Sequence, residues 1–423
     1  MRGARAAFGS LTACLLAFPL ACNAILGIQD VTLGPDAGRD AQGPSDRAVP
    51  PDPGDDASDT GMPVPGPSDV HVALMHASTC ARKREGSVFC FGSNTLGQVG
   101  SDASQPQFAS PEKVLGLNDA VTLAAGYDHV CALKLDRTVV CWGYNHFGQL
   151  GAGNLQNMSP RPVAVSGLRN VATLAGGTVF TCATKMDGTA ACWGANYAGQ
   201  LGNGTKTDTA SPVPVFQLTD AVAIGAGEAH ACALRKGGTV VCWGSNAQGQ
   251  LGGGTTGESL VPVPVPSLKD VASIAVGGTF SCALLRGGGV VCWGGNSKGE
   301  LGNGTTTTTP DLTPVSALGD AAAIAAGYAH ACALKTGGKL VCWGTDDHGE
   351  LGDGFGTPDA NTSVSTPVAV KNVTNAIGVV TGGEHSCATT KDERILCWGA
   401  NASGQVGDGT TTDALVPVGV VGF

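Results

Sequence analysis

Charge is scarce in this chain. Only 14% of its 423 residues are charged, the net charge is −10, and no run of Lys or Arg longer than the three of Arg82–Arg84 occurs in its repetitive part. A nucleic-acid or acidic-lipid footprint carries clustered basic charge, so neither partner is expected from the linear sequence. No segment shows the apolar period of a helix, which argues against bundles and helical solenoids. No Ser-His-Asp set, phosphate-binding glycine loop or paired-carboxylate constellation stands out. No catalytic residue, cofactor or metal is therefore assigned.

What the chain has in abundance is glycine (65), proline (23) and cysteine (16). Fourteen of the cysteines form seven pairs ten residues apart: Cys80/Cys90, Cys131/Cys141, Cys182/Cys192, Cys232/Cys242, Cys282/Cys292, Cys332/Cys342 and Cys387/Cys397. Six of the second cysteines precede Trp-Gly, and the pairs advance by 50 to 55 residues. A fixed period of this size marks one supersecondary unit copied into an array, each copy needing its neighbours to bury its apolar face. Even, paired cysteines read as disulfides in an oxidising compartment, whereas zinc knuckles need shorter spacings.

The amino terminus fits export. Arg2 and Arg5 precede an apolar run, Ala6 to Ala21, that is too short and interrupted to span a membrane and has the form of a signal peptide. The two remaining cysteines, Cys14 and Cys22, lie in or beside it. Pro19-Leu-Ala-Cys22 resembles a bacterial lipoprotein signal, with Cys22 as the lipidated residue. Leu11-Thr-Ala-Cys14 and a simply cleaved signal are the alternatives. The expected organisation is a leader over 1–22, an Asp/Pro/Gly-rich tether over 23–68 and a folded head over 69–423. The tether is too polar to offset its ordering entropy.

Each repeat carries four short β-prone runs bounded by turn residues, as in Pro262–Val265, Val271–Gly277, Ser281–Leu285 and Gly289–Gly294. Seven such units predict an all-β fold, a seven-bladed β-propeller of four-stranded antiparallel blades with one disulfide in each. In the fourth repeat a three-residue loop, Lys236-Gly-Gly238, sets Cys232 directly opposite Cys242 in a hairpin. About 17 residues follow the Cys-Trp-Gly strand, and only five separate Val265 from Val271. Those lengths suggest blades out of phase with the repeat. Trp243 would lie on an outermost strand, Pro262–Val265 would be innermost in the next blade, and Val416–Val420 would close the ring against Val70–Phe91. In-phase blades remain the other arrangement.

The segment Cys141-Trp-Gly-Tyr-Asn-His-Phe-Gly-Gln-Leu-Gly-Ala-Gly153, its copies, and Gly-x-x-His at Gly126–His129, Gly227–His230, Gly327–His330 and Gly382–His385 resemble the regulator of chromosome condensation repeat family. The first repeat departs from it, with Met75, Ser78 and Phe91 in place of Gly, His and Trp. The resemblance implies the propeller. It also brings the guanine-nucleotide exchange activity of the founding member as one possible function, set against the export signal and the lack of a wedge insertion. Exported bacterial relatives include a propeller that inhibits β-lactamases through one face.

Equivalent histidines in neighbouring blades stand too far apart to share a metal, and Phe180 and Phe280 replace them elsewhere; packing and hydrogen bonding are expected of them. Asp346, Asp347, His348 and Glu350 form either a solvated turn variant or a weak cation site. The most variable residues follow each Ala-Gly, and Tyr127, Asp128, Thr178, Glu228, Thr279, Tyr328 and Glu384 are the candidate binding residues on one face. The function expected is an exported binding scaffold in the cell envelope, monomeric, joined to the membrane through its lipid anchor only. Its expected partner is a protein or glycan. A glycan hydrolase or lyase with a site in the central channel is the enzymatic alternative.

Overall fold

The computed structural model describes residues 70–101, 105–356 and 362–423. Twenty-eight strands form seven separate four-stranded sheets, each with its strands in chain order and every neighbouring pair antiparallel. The sheets stand as seven blades, spanning 71–113, 120–164, 171–214, 221–264, 271–314, 321–369 and 376–419. The inner strands pack on one another around the ring, including blade 1 on blade 7. This is the expected seven-bladed propeller. The leader 1–22, Cys22 and the tether 23–68 lie outside the described residues.

The phase of the blades differs from the expectation. In blade 4 the strands are Ala221–Ala226, His230–Arg235, Val240–Gly244 and Ser259–Pro264, from the inside outward. Trp243 is thus on the third strand, and the Pro-Val strand is the outer edge of its own blade. The last strand, Ala414–Gly419, pairs within blade 7 (Leu396 opposite Gly419) and does not complete blade 1. The ring closes by packing between blades. Connection length misled because a short link suffices. Three strand spacings amount to about 14 Å, and six extended residues reach about 20 Å. The long connection has another use: it folds into the seam between blades.

The disulfide hairpins match their expected register. Cys232 lies opposite Cys242, Arg235 N donates to Thr239 O (2.9 Å), and Gly238 takes φ +74° to close the three-residue turn. The same facing pair recurs in every blade, joining the second strand to the third. The bridges are Cys80–Cys90 in blade 1, Cys131–Cys141 in blade 2, Cys182–Cys192 in blade 3 and Cys232–Cys242 in blade 4. Cys282–Cys292, Cys332–Cys342 and Cys387–Cys397 complete the set in blades 5, 6 and 7. Their Cα atoms stand 4.0 to 4.1 Å apart.

These cysteines are structural and sealed in. Cys90, Cys192, Cys292, Cys342 and Cys397 on the third strands are fully enclosed, and the most exposed of the fourteen, Cys282, reaches only 2%. They sit in core clusters that draw on adjacent blades. One gathers Cys182, Cys192, Leu201, Val215, Ile224 and Trp243; another gathers Cys282, Cys292, Leu301, Val315, Ile324 and Trp343.

Non-reducing peptide mapping should link every cysteine to the one ten residues on. Replacing Cys232 and Cys242 together by Ala should lower unfolding free energy by at most about 3 kcal/mol, because the hairpin already holds the loop ends close. A bridge found between repeats would contradict the register.

Candidate binding face

The connection from first to second strand begins with glycine in six blades because there is no room for a side chain. A Cβ at Gly126 would run into the His129 ring and the Gly177 carbonyl, and one at Gly177 would strike the Phe180 ring. Blade 1 resolves the same space in reverse: Ser78 is small, and the buried Met75 takes the place of the glycine.

Beyond that glycine, backbone groups link blade to blade. His76 N donates to Tyr127 O (3.0 Å), Tyr127 N to Thr178 O (3.3 Å) and Thr178 N to Gly227 O (3.1 Å). Glu228 N donates to Gly278 O (3.1 Å), Gly278 N to Tyr328 O (3.1 Å), Tyr328 N to Gly382 O (3.1 Å) and Gly383 N to Met75 O (3.2 Å). The result is a closed belt that fixes the variable positions on one face. The third strands end beside it, with Tyr144 N donating to Asp128 O at 2.8 Å.

The candidate residues all stand on this belt or one place after it. Tyr127, Asp128, Glu228, Thr279, Tyr328 and Glu384 are half-buried. Thr178 departs from expectation: it is 2% exposed, held within the belt, and offers a partner almost nothing. The bridged cysteines contribute nothing to the face directly; pairs such as Cys332–Cys342 and Cys387–Cys397 lie beneath it and hold the strands that carry it. Asp128 accepts from Gln98 Nε2 (3.2 Å). Burial outweighs that bond and pushes its carboxyl up to about 6. Burial also raises Glu228. Tyr127 is raised by burial and by the nearby Asp128 and Glu384 carboxylates.

Several residues on this face escaped the sequence analysis. His76 stacks on Tyr127 with ring centres 4.5 Å apart and planes 10° from parallel. Tyr144 lies parallel to His146 at 6.2 Å, and His146 meets Phe147 edge-on at 5.0 Å. With Tyr197 (52% exposed) and Tyr328, all four tyrosines of the chain stand at this one face, three on connections and Tyr144 at the end of a third strand. His76 was hidden because its repeat lacks the Gly and His of the motif.

The motif histidines hold the seams together. His129 Nε2 meets Thr181 Oγ1 at 2.8 Å, His230 meets Ser281 Oγ at 3.0 Å, His330 meets Ser386 Oγ at 2.9 Å, and His385 meets Thr79 Oγ1 at 2.8 Å, each in the next blade. Each hydroxyl in turn donates to the carbonyl of Gln149, Gln250, Glu350 or Gln405. The hydroxyl proton is thereby committed, so the imidazole carries its proton on Nε2. Where the histidine is Phe180 or Phe280, the facing residue is Ala231 or Ala331 in the same cluster. Burial holds His129, His230 and His385 down to about 3 and His330 to about 4, so they are neutral in the fold.

The Asp346–Glu350 loop is also part of a seam. Asp346 stands where other repeats have Asn; its Oδ1 accepts from Leu351 N (3.1 Å), and burial raises it to about 7. Glu350 Oε2 accepts from His348 N (2.8 Å), and burial raises this carboxyl also to about 7. His348 Nδ1 reaches Asp413 Oδ2 in blade 7 at 2.8 Å. Among the described residues no three His, Cys, Asp or Glu side chains gather as a metal-binding group. A crevice with about 210 Å³ of open space lies between the inner strands of blades 7, 1 and 2. Its lining, including Val72, Leu74, Leu123, Val380 and Thr381, carries no acid or base.

A belt-fixed face on in-phase, disulfide-pinned blades defines a repeat β-propeller. The RCC1-like domain family matches residues 36–319, and the regulator of chromosome condensation (RCC1) repeat matches 321–350 and 376–405. The chain belongs to the RCC1-like family. Yeast RCC1 (Prp20), solved with Kap60 bound, shares 24% identity over 82% of this chain and 84% of that one, with a TM-score of 0.69. Human WBSCR16 shares 21% over 79% and 94%, also at 0.69. At these identities the likeness concerns the fold alone. Among curated proteins, the human probable E3 ubiquitin-protein ligase HERC6 is 35% identical over 121 residues, 28% of this chain and 12% of its own length. The Arabidopsis thaliana ultraviolet-B receptor UVR8 is 31% identical over 148 residues, 34% of this chain and 33% of its own. The chain therefore spans only a minor part of these curated relatives.

The histidine couples can be tested by exchange. Ser281→Ala should cost about 1–3 kcal/mol by stranding the His230 N–H, and adding His230→Phe should recover most of it, as at Phe180/Ala231. The sign of the pH effect follows from the lowered imidazoles. In the unfolded chain they protonate near pH 6.5. Their neutral folded form is favoured above that value, so stability drops as pH falls from about 6.5 toward 3. The His230→Phe/Ser281→Ala protein should lose less over that window in denaturant titrations.

Proposed function

We propose that this chain is an exported, membrane-anchored scaffold whose propeller holds a protein partner on the tyrosine-bearing face. One observation carries the reading: every tyrosine of the chain stands on that face, beside Asp128, Glu228 and Glu384, over a backbone belt that keeps them in place. Tyrosine is a favoured interface anchor, and a pre-ordered display lowers the entropy cost of association. The carboxylates suit Lys or Arg on the partner. A relative solved with a bound protein, yeast RCC1 with Kap60, supports a protein as the ligand class. Export and anchoring rest on Arg2, Arg5, the apolar run Ala6 to Ala21 and Cys22. Exposed Tyr197 also suits a sugar ring, which keeps a glycan as the second reading.

Cross-linking mass spectrometry of the affinity-purified full chain should place partner contacts at 126–129, 144–147, 227–229 and 327–329. Tyr127→Ala with Tyr328→Ala should weaken capture by about tenfold or more. Cross-links confined to the opposite face would sink the proposal, and a glycan lost with the same two tyrosines would replace the protein as ligand. Cys22→Ala should release the chain from membranes washed at about 1 M salt, where surface charge attraction is screened; unchanged association under that wash would remove the lipid anchor from the reading.

A further inference from the structure

The linear sequence has only the short basic run Arg82–Arg84, yet the fold gathers basic charge from all seven blades. Every second-to-third-strand hairpin and every link to the next blade lies on the face opposite the tyrosines. Of the 20 Lys and Arg among the described residues, 17 fall in those hairpins, links and adjoining strand ends, against 10 Asp and Glu. The connections on the tyrosine side have the reverse balance: 12 acidic residues, of which Glu300, Asp346 and Glu350 are buried in the seams, against Lys206 and Lys298. The disc is therefore electrically two-sided, which its overall −10 conceals.

Part of the basic charge is neutralised locally. Lys134 pairs with Asp119 (2.9 Å), Arg235 with Asp220 (2.8 Å) and Lys335 with Asp320 (3.2 Å). Lys113, Arg169, Lys236, Lys269, Arg286 and Lys339 are exposed and make no ion pair among the described residues. Apolar side chains stand out between them: Leu135 is 67% exposed, Val421 50%, Phe216 49% and Leu115 45%. The chain also enters the propeller here, since His71 at the start of the inner strand lies opposite Arg82 at the base of the first hairpin.

We propose that this second face docks on the anionic phosphate headgroups of a lipid bilayer, so that the propeller lies flat with its tyrosine face outward. Scattered Lys and Arg gain from the negative surface potential within a Debye length, and protruding Leu and Phe enter the interface. A polynucleotide would use the cations but leave Leu135, Val421 and Leu115 without an apolar environment, so the bilayer is the better match. The proposal requires neither lipidation of Cys22 nor partner binding on the opposite face, and it fails or stands apart from both.

The test uses the full chain carrying Cys22→Ala, so that no acyl chain can supply the affinity, in vesicle co-sedimentation. Phosphatidylcholine vesicles provide the baseline, including any contribution from the apolar run Ala6 to Ala21, and vesicles with about one-third phosphatidylglycerol provide the signal. Binding should favour the anionic vesicles. The preference should vanish between about 0.1 and 1 M salt, as the Debye length contracts from about 10 to 3 Å. Lys236→Glu with Lys269→Glu should weaken anionic-vesicle binding about tenfold or more, while Lys206→Glu with Lys298→Glu, the same charge change on the tyrosine face, should alter it less than about threefold. Leu135→Asp should weaken it further. No anionic preference, equal losses from the two double variants, or tighter binding to a DNA duplex than to the vesicles would each overturn the proposal.

Discussion

The whole ring depends on one hydrogen bond repeated at its seams. In six blades a fully buried tryptophan indole donates to a backbone carbonyl of the preceding blade: Trp142 to Gln98, Trp193 to Gln149, Trp243 to Gln200, Trp293 to Gln250, Trp343 to Glu300 and Trp398 to Glu350, at 2.8 to 3.0 Å. That carbonyl belongs to the long connection, which must fold into the seam to offer it. The Gln or Glu side chain then caps its own loop, and Asn145, Asn196, Asn246 and Asn296 hold the rest of it through paired bonds to distant carbonyls. A buried indole N–H without its acceptor would cost several times what the bond contributes, so each seam is tightly specified. At the closing seam Phe91 has no N–H to give, and the Gln405 carbonyl keeps Thr79 Oγ1 at 2.7 Å, where the carbonyls of Gln149, Gln250 and Glu350 receive both a hydroxyl and an indole.

The belt on the tyrosine face follows from these seams. With neighbouring blades held in register, the backbone amides at the start of each first-to-second-strand connection come within reach of the next blade's carbonyls. Side chains such as Tyr127 and Tyr328 can then vary without disturbing the frame. The same registration gathers hairpins from all seven blades on the other side. Residues about 50 positions apart, such as Lys236 and Arg286, become members of one charged surface.

Much of this was legible in the sequence. The C-x9-C spacing carried the hairpin register and the disulfides, from Cys80–Cys90 to Cys387–Cys397, and the period carried the number of blades. The phase was not legible, because connection length was read as distance to travel. The long connection is long because it must descend into a seam and return. Thr178 looked like a surface position because its copies are Tyr and Glu, yet its hydroxyl side chain is small enough to be enclosed by the belt. The segregation of charge was invisible in a linear scan, since no two adjacent segments supply it; only the alternation of connections between the two faces creates it. His76 needed its neighbour Tyr127, 51 positions away, to acquire meaning.

The exchange of His–hydroxyl for Phe–Ala couples also bears on how such a wheel could have grown. From blade 2 to blade 6 the residue offered to the next blade alternates His, Phe, His, Phe, His, and the residue receiving it alternates in step. Duplicating blade 4 alone would set an imidazole against Ala231, and duplicating blade 5 alone would set a phenyl ring against Ser281. Copying the two together preserves each of these contacts, so the pair of blades, rather than the single repeat, is the smallest unit whose seams fit one another.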